Sequence, residues 1–258
     1  TFTTYGHSVG EFLFSSQWAP ADNAQGGGKV GAAIFIFGSI ITCALALLIS
    51  TPFSIASAIF MTEISPGIGR KILQPAVEIF VGIPSVVYGW IGLTILVPFI
   101  KDLFDLKFGF SVLAAGIVLA VMIYPTITSL SADAIRSIPK SFRQASYGLG
   151  ATRWQTISQV VIPASKSGLM TAIVLGLARA FGEALAVAMV IGKMKAFPES
   201  LLSPTTNLTA AIASDMGGAM EGSEYNIALW SMALLLFIIS LIFIFIIHYI
   251  SAKGGHKA

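Results

Sequence analysis

The chain has 258 residues, 55% hydrophobic and only 10% charged, with a mean hydropathy of +0.85. Soluble globular domains carry about 25% charged residues, so this composition excludes that class. The net charge of +3 comes without basic–aromatic interleaving, which gives no indication of a nucleic-acid partner.

A spanning helix needs about 20 apolar residues. Five stretches qualify: about 30–61, 73–99, 110–130, 168–192 and 227–250. The expected fold is therefore an all-α, polytopic membrane protein, with membrane lipid as one partner. Lys and Arg assign the sides. Arg70, Lys71, Arg136, Lys140, Arg143, Arg153, Lys166, Lys253 and Lys257 fall on one side, which is read as cytoplasmic. Lys29, Lys101, Lys107, Lys193 and Lys195 fall on the other, with eight of the twelve acids. Segments 1–29 and 193–226 are then extracytoplasmic, 30–258 is the transmembrane domain, and the C-terminus is cytoplasmic. Segment 1–29 has no signal-peptide core. The chain opens on Thr1 rather than Met, which leaves room for a sixth, earlier span that would restore a cytoplasmic N-terminus.

The first span is too long to cross straight and contains Pro52, which predicts a kink or an early exit. Its Cys43, the single cysteine, reads as a small buried hydrophobe. In the second span Gly82-Ile83-Pro84-Ser85 interrupts the apolar run about 18 Å from the cytoplasmic end. A proline there breaks a backbone hydrogen bond, and either kinks the helix or leaves a half-helix N-terminus whose N–H groups suit an anion. Ser85 adds a hydroxyl. Glu78, earlier in that span, either pairs with a cytoplasmic basic residue or lines an inner gate. In the third span Tyr124-Pro125 reads as a kink.

Residues 131–167 form a polar, basic loop between two spans. Pro139 suits a first helical turn, and Ser141 with Gln144 has capping-box spacing, so the first helix has two candidate starts. Gly148 and Gly150 supply a left-handed stop. Thr152 and Gln155 repeat the capping box and start a second helix carrying Trp154, Ile157, Val160 and Val161 before Pro163. The expected hairpin is rimmed by Arg143 and Arg153, and it looks built to dock another protein. An ordinary solvated loop is the alternative.

The fourth span holds Arg179 and Glu183. With Glu78 they are the only ionisable groups well inside the apolar runs, where such groups face the bundle interior or an aqueous path. Counted from Gly168, Arg179 lies about 16 Å deep and Glu183 about 22 Å. Their i,i+4 spacing predicts that they meet on one helix face. The pair either neutralises itself to fix packing or offers a positive charge to a passing anion. Gly168, Ala172, Gly176, Ala180, Ala184, Ala188 and Gly192 form a row of small residues, which lets helices approach closely.

Chemistry on this chain is not expected. Gly148-Leu149-Gly150-Ala151-Thr152 lacks the lysine and the spacing of a P-loop. His7, His248 and His256 suggest neither a metal site nor a triad, and no cofactor is implied.

Gln144-Ala145-Ser146, Gly150 and Ile162-Pro163 resemble the EAA loop of ABC-importer permeases, E-A-A-x3-G-x9-I-x-L-P. Val160 and Ile162 stand at the aliphatic positions. Gln144 replaces the Glu, losing a charge, and Ser146 replaces the second Ala. Residues 78–89 (EIFVGIPSVVYG), 176–184 (GLARAFGEA), 189–192 (MVIG) and 207–213 (NLTAAIA) are similar to the PstC-type permease of phosphate ABC importers. The resemblance runs from about Phe12 to the last span. It implies the type I ABC-importer fold and a plasma-membrane (bacterial inner-membrane) permease that passes inorganic phosphate. It also implies a heterodimer with a PstA-type permease, a cytoplasmic PstB-type ATPase dimer that hydrolyses the ATP, and an extracytoplasmic PstS-type binding protein. Gln144, Ala145, Ser146 and Gly150 with Arg143, Arg153 and Trp154 would then touch the ATPase. Arg179, Glu183, Pro84, Ser85 and Glu78 would line the pathway. Permeation of sulfate or molybdate, ion-coupled secondary transport with Glu183 carrying a proton, and a membrane scaffold or sensor remain as rival readings.

Overall fold

A computed structural model describes residues 5–23 and 25–255, with only the backbone of 251–255. His256, Lys257 and the side chain of Lys253 lie outside the described residues. Helix α1 (Val9–Phe14) is capped by Ser8, whose hydroxyl accepts from the Glu11 amide. Strands β1 (Trp18–Ala19) and β2 (Lys29–Val30) pair antiparallel. Helix α2 (Ala33–Ile59) opens into a wider π turn over Phe60–Ile64, together 32 residues of span. Pro52 lies inside this helix without ending it. Within spans, neighbouring groups re-satisfy the backbone that a proline frees.

Helix α3 (Pro66–Ile68), a π turn (Gly69–Leu73) and α4 (Gln74–Gly82) lead to a break. Ile83 is extended (φ −71°, ψ 128°), and Pro84 caps α5 (Ser85–Ile91). A π turn (Gly92–Leu96) and α6 (Val97–Leu103) follow. The expected span 73–99 is thus two helical pieces, and its membrane-length part is Ser85–Leu103.

Helix α7 (Val112–Arg136) is the third span. Helices α8 (Lys140–Gly148) and α9 (Arg153–Thr156) form the hairpin. A π turn (Ile157–Val161) then feeds α10 (Ile162–Gly182), so the fourth span is helical from Arg153 to Gly182. Pro163 does not end the hairpin's second helix. It lies within this span just past the π turn 157–161, and such local π adjustments re-satisfy the backbone that a proline frees. Helices α11 (Leu185–Val190), α12 (Leu208–Asp215) and α13 (Glu224–Gly255) complete the chain.

These elements build two compact units. One comprises the described residues up to Ala46 with Pro84–Leu119 and Ala180–Leu241. Its core packs Phe12, Val30, Phe35, Leu208, Leu229 and Met232. The other comprises Leu47–Ile83, Ala120–Arg179 and the chain from Ile242. There Ala58, Ala132, Ile135, Val161 and Leu169 close the core. Small residues set the spacing in this second unit. A Cβ on Gly168 would lie 2.5 Å from that of Ala134, and one on Gly176 would lie 2.5 Å from the Ile127 side chain, so α10 lies directly against α7.

Candidate functional site

The hairpin is held by short-range rules that the sequence displays. Thr152 accepts from the Gln155 amide at 3.3 Å while Gln155 accepts from the Thr152 amide at 2.8 Å, a complete capping box. Gly150 (φ +85°) ends α8, with the Gly150 amide bonded to the Tyr147 carbonyl and the Ala151 amide to that of Ser146. The alternative start at Ser141 is not used: Pro139 occupies the cap, and Ser141 lies inside α8. Gln144, Ala145 and Trp154 are exposed, as a docking surface requires. Ser146 is instead buried, its hydroxyl 2.9 Å from that of Thr156. Arg143 and Arg153, expected at the outer rim, both bond Glu63 at the end of the first span. The sequence reading missed the most exposed large apolar side chain of the hairpin, Leu149 (91% exposed), with Phe142 and Tyr147 beside it.

Arg179 is half-buried on α10, and its Nη1 donates to the Thr126 hydroxyl on α7 at 2.7 Å. It belongs to no ion pair among the described residues. The partner it does have, the Thr126 hydroxyl, is a neutral group. Glu78 accepts from Gln74 Nε2 at 3.1 Å, and Gln74 in turn accepts from Arg136 at 3.0 Å. Gln74 thus stands between Glu78 and Arg136, and among the described residues Glu78 makes no ion pair of its own.

Glu183 does not continue the helix that carries Arg179. Helix α10 ends at Gly182, so the expected i,i+4 face does not exist. Glu183 accepts from the Ala186 amide at 3.1 Å, starting α11, while its own carbonyl accepts from the Thr209 hydroxyl at 2.6 Å. A carboxylate at a helix start and a hydroxyl on the freed carbonyl satisfy the break. The row of small residues is split there as well: Gly168, Ala172, Gly176 and Ala180 stay on α10, Ala184 lies in the break, Ala188 is on α11, and Gly192 (φ +97°) is beyond it.

Ser85 opens α5 behind Pro84 without a side-chain cap. Beside α5 and α11 lies a cavity of about 570 Å³, lined by apolar residues including Val86, Leu185 and Met189, with Lys193 and Ser214 among its polar members. Lys193 adopts a left-handed backbone (φ +56°). Next to it, Lys195 bonds Asp215 at 2.7 Å. Burial lowers the Lys195 pKa, but Asp215 and the Tyr225 hydroxyl outweigh this and hold it above the ordinary lysine value.

The profile of the family described as binding-protein-dependent transport system inner membrane component matches residues 50–254. The protein named Probable ABC transporter permease protein YqgH, from Bacillus subtilis, is 54% identical over 98% of this chain and 81% of its own length. The Phosphate transport system permease protein PstC of Haemophilus influenzae is 36% identical over 90% of this chain and 77% of its own. Among solved structures, the MetNI methionine ABC transporter in an inward facing conformation superposes with a TM-score of 0.63 at 20% identity, over 86% of this chain and 96% of that one.

Proposed function

The chain belongs to the binding-protein-dependent transport system inner-membrane components, the permease subunits of ABC importers, and from that premise we propose that it forms the pathway for inorganic phosphate. Such a permease works with an ATPase and a substrate-binding protein and does not itself hydrolyse ATP. Here those partners are taken to be a PstB-type ATPase dimer and a PstS-type phosphate-binding protein, with a PstA-type permease as the second membrane subunit. Relatives named as phosphate transport permeases, at 36–37% identity, support the choice of anion. The hairpin and C-terminus are placed on the cytoplasmic side of the bacterial inner membrane. Segments 1–29 and 193–226 are placed outside, to receive the binding protein.

The observation that carries this reading is Arg179: a half-buried guanidinium in a spanning helix, held by a neutral hydroxyl. An anion entering the span loses hydration, and a fixed charge at about 4 Å offsets roughly 4 kcal/mol at an effective dielectric of about 20. The first N–H groups of α5 and the Ser85 hydroxyl are donors of the kind a phosphate accepts from. Glu183 is assigned to holding the helix break. In the cycle, ATP closes the ATPase dimer, the hairpin moves with it, and the spans switch from inward- to outward-facing. The assembled complex carrying Arg179→Ala is expected to lose at least about tenfold in phosphate uptake, equal to roughly 1.4 kcal/mol. Uptake at the wild-type rate would refute the role.

A further inference from the structure

Two arginines of the hairpin close on a single turn of chain. Arg143, on α8, donates Nε to both Glu63 carboxylate oxygens at 3.1 and 3.2 Å and Nη2 to Oε1 at 2.5 Å. Its other bonds reach the end of α7 and the residues just after it: Nη2 to the Ile135 carbonyl at 3.0 Å and Nη1 to that of Ile138 at 2.7 Å. Arg153, opening α9, donates to the Glu63 carbonyl and, at 2.8 Å, to that of Ile64. Glu63 and Ile64 are the last residues of the π turn that finishes the first span.

The clasp is drier than a surface ion pair, since the Glu63 and Arg143 side chains are only 9% and 18% exposed. A planar guanidinium forked onto a carboxylate resists sliding and rotation, which apolar contacts alone permit. Beneath it, Ala58 of α2, Ala132 and Ile135 of α7, and Val161 just after α9 pack together. The hairpin, the end of the first span and the end of the third are thereby joined through the Arg143 guanidinium, with the Glu63 carboxylate as its charged partner.

We propose that Glu63 is a positioning residue of the transport cycle, locking Arg143, which already holds the end of the third span, onto the end of the first, so that any displacement of the hairpin arrives at both spans undiminished. This rests on the hairpin being the element that meets the ATPase. A pair serving stability alone would change how much complex forms, and not how much substrate moves per ATP.

The test uses the full complex in proteoliposomes with its ATPase and binding protein. Glu63→Ala is expected to cut phosphate taken up per ATP hydrolysed by about tenfold, with basal ATPase within about twofold of wild type. Arg143→Ala should lower the same uptake-per-ATP ratio, and the double variant should be no worse in that ratio than Arg143→Ala alone, as for groups acting as a unit. If Glu63→Ala fails to assemble, Glu63→Gln keeps the shape and one acceptor and should still lose about threefold. An unchanged ratio in whichever Glu63 variant assembles, or losses that multiply in the double variant, would overturn the proposal. A second readout does not depend on the transported anion: spin labels at Lys140→Cys and Ile68→Cys should report one distance with and without ATP. The same pair should shift on ATP once Glu63→Ala is added. An ATP-dependent shift in the otherwise wild-type chain overturns the clasp even if the anion is not phosphate.

Discussion

The hydroxyls of Ser146 and Thr156 lie 2.9 Å apart across the two helices of the hairpin, both buried. Ser146 stands where the family pattern has alanine, and Thr156 supplies the partner that lets a polar group be buried there. Ser146→Ala leaves the Thr156 hydroxyl alone, at a cost of about 1–2 kcal/mol. Adding Thr156→Val should recover most of that loss, read as the unfolding midpoint of the two variants side by side.

Gly168 and Gly176 should tolerate alanine unequally. The added methyl at Gly168 meets the Cβ of Ala134, which has no torsion to turn away, whereas at Gly176 it meets the movable end of Ile127. Gly168→Ala is expected to destabilise by about 1–3 kcal/mol and Gly176→Ala by less. Pairing Gly168→Ala with Ala134→Gly should restore thermal stability.

Glu224 is fully buried and accepts from the amides of Ala21 at 2.7 Å and Gly28 at 2.8 Å, with His7 Nε2 at 2.6 Å. It ties the residues before the first span to the start of α13. Glu224→Ala strands two backbone donors, at about 1–3 kcal/mol each. Limited proteolysis should then cut faster near Gly26–Gly28 than in the wild type.

Leu149 and Trp154 are 91% and 65% exposed on the hairpin. If they anchor the ATPase, Leu149→Ala and Trp154→Ala should each weaken its binding by about 2 kcal/mol, roughly thirtyfold. Gln144→Ala should change binding less. Titrating ATPase onto the permease complex measures both.

The five spans were legible because lipid demands long apolar runs, and the hairpin was legible because Thr152, Gln155 and Gly150 act within a few residues of themselves. The end of α10 was not. Apolar and small residues continue past Gly182, and the carbonyl of Glu183 at the break is satisfied by Thr209, 26 residues on. Spacing alone therefore placed Glu183 beside Arg179. Glu63 was invisible for the same reason: its arginines lie 80 and 90 residues away in sequence. Thr126, the partner of Arg179, carries no local mark that separates it from any other threonine in a span.

The most direct measurement is ATP hydrolysis by the reconstituted complex with its binding protein, titrated with phosphate, sulfate and molybdate in turn. Phosphate should stimulate hydrolysis and be taken up, and Arg179→Ala should abolish most of the uptake. Stimulation by sulfate or molybdate and not by phosphate would contradict a phosphate pathway through this chain.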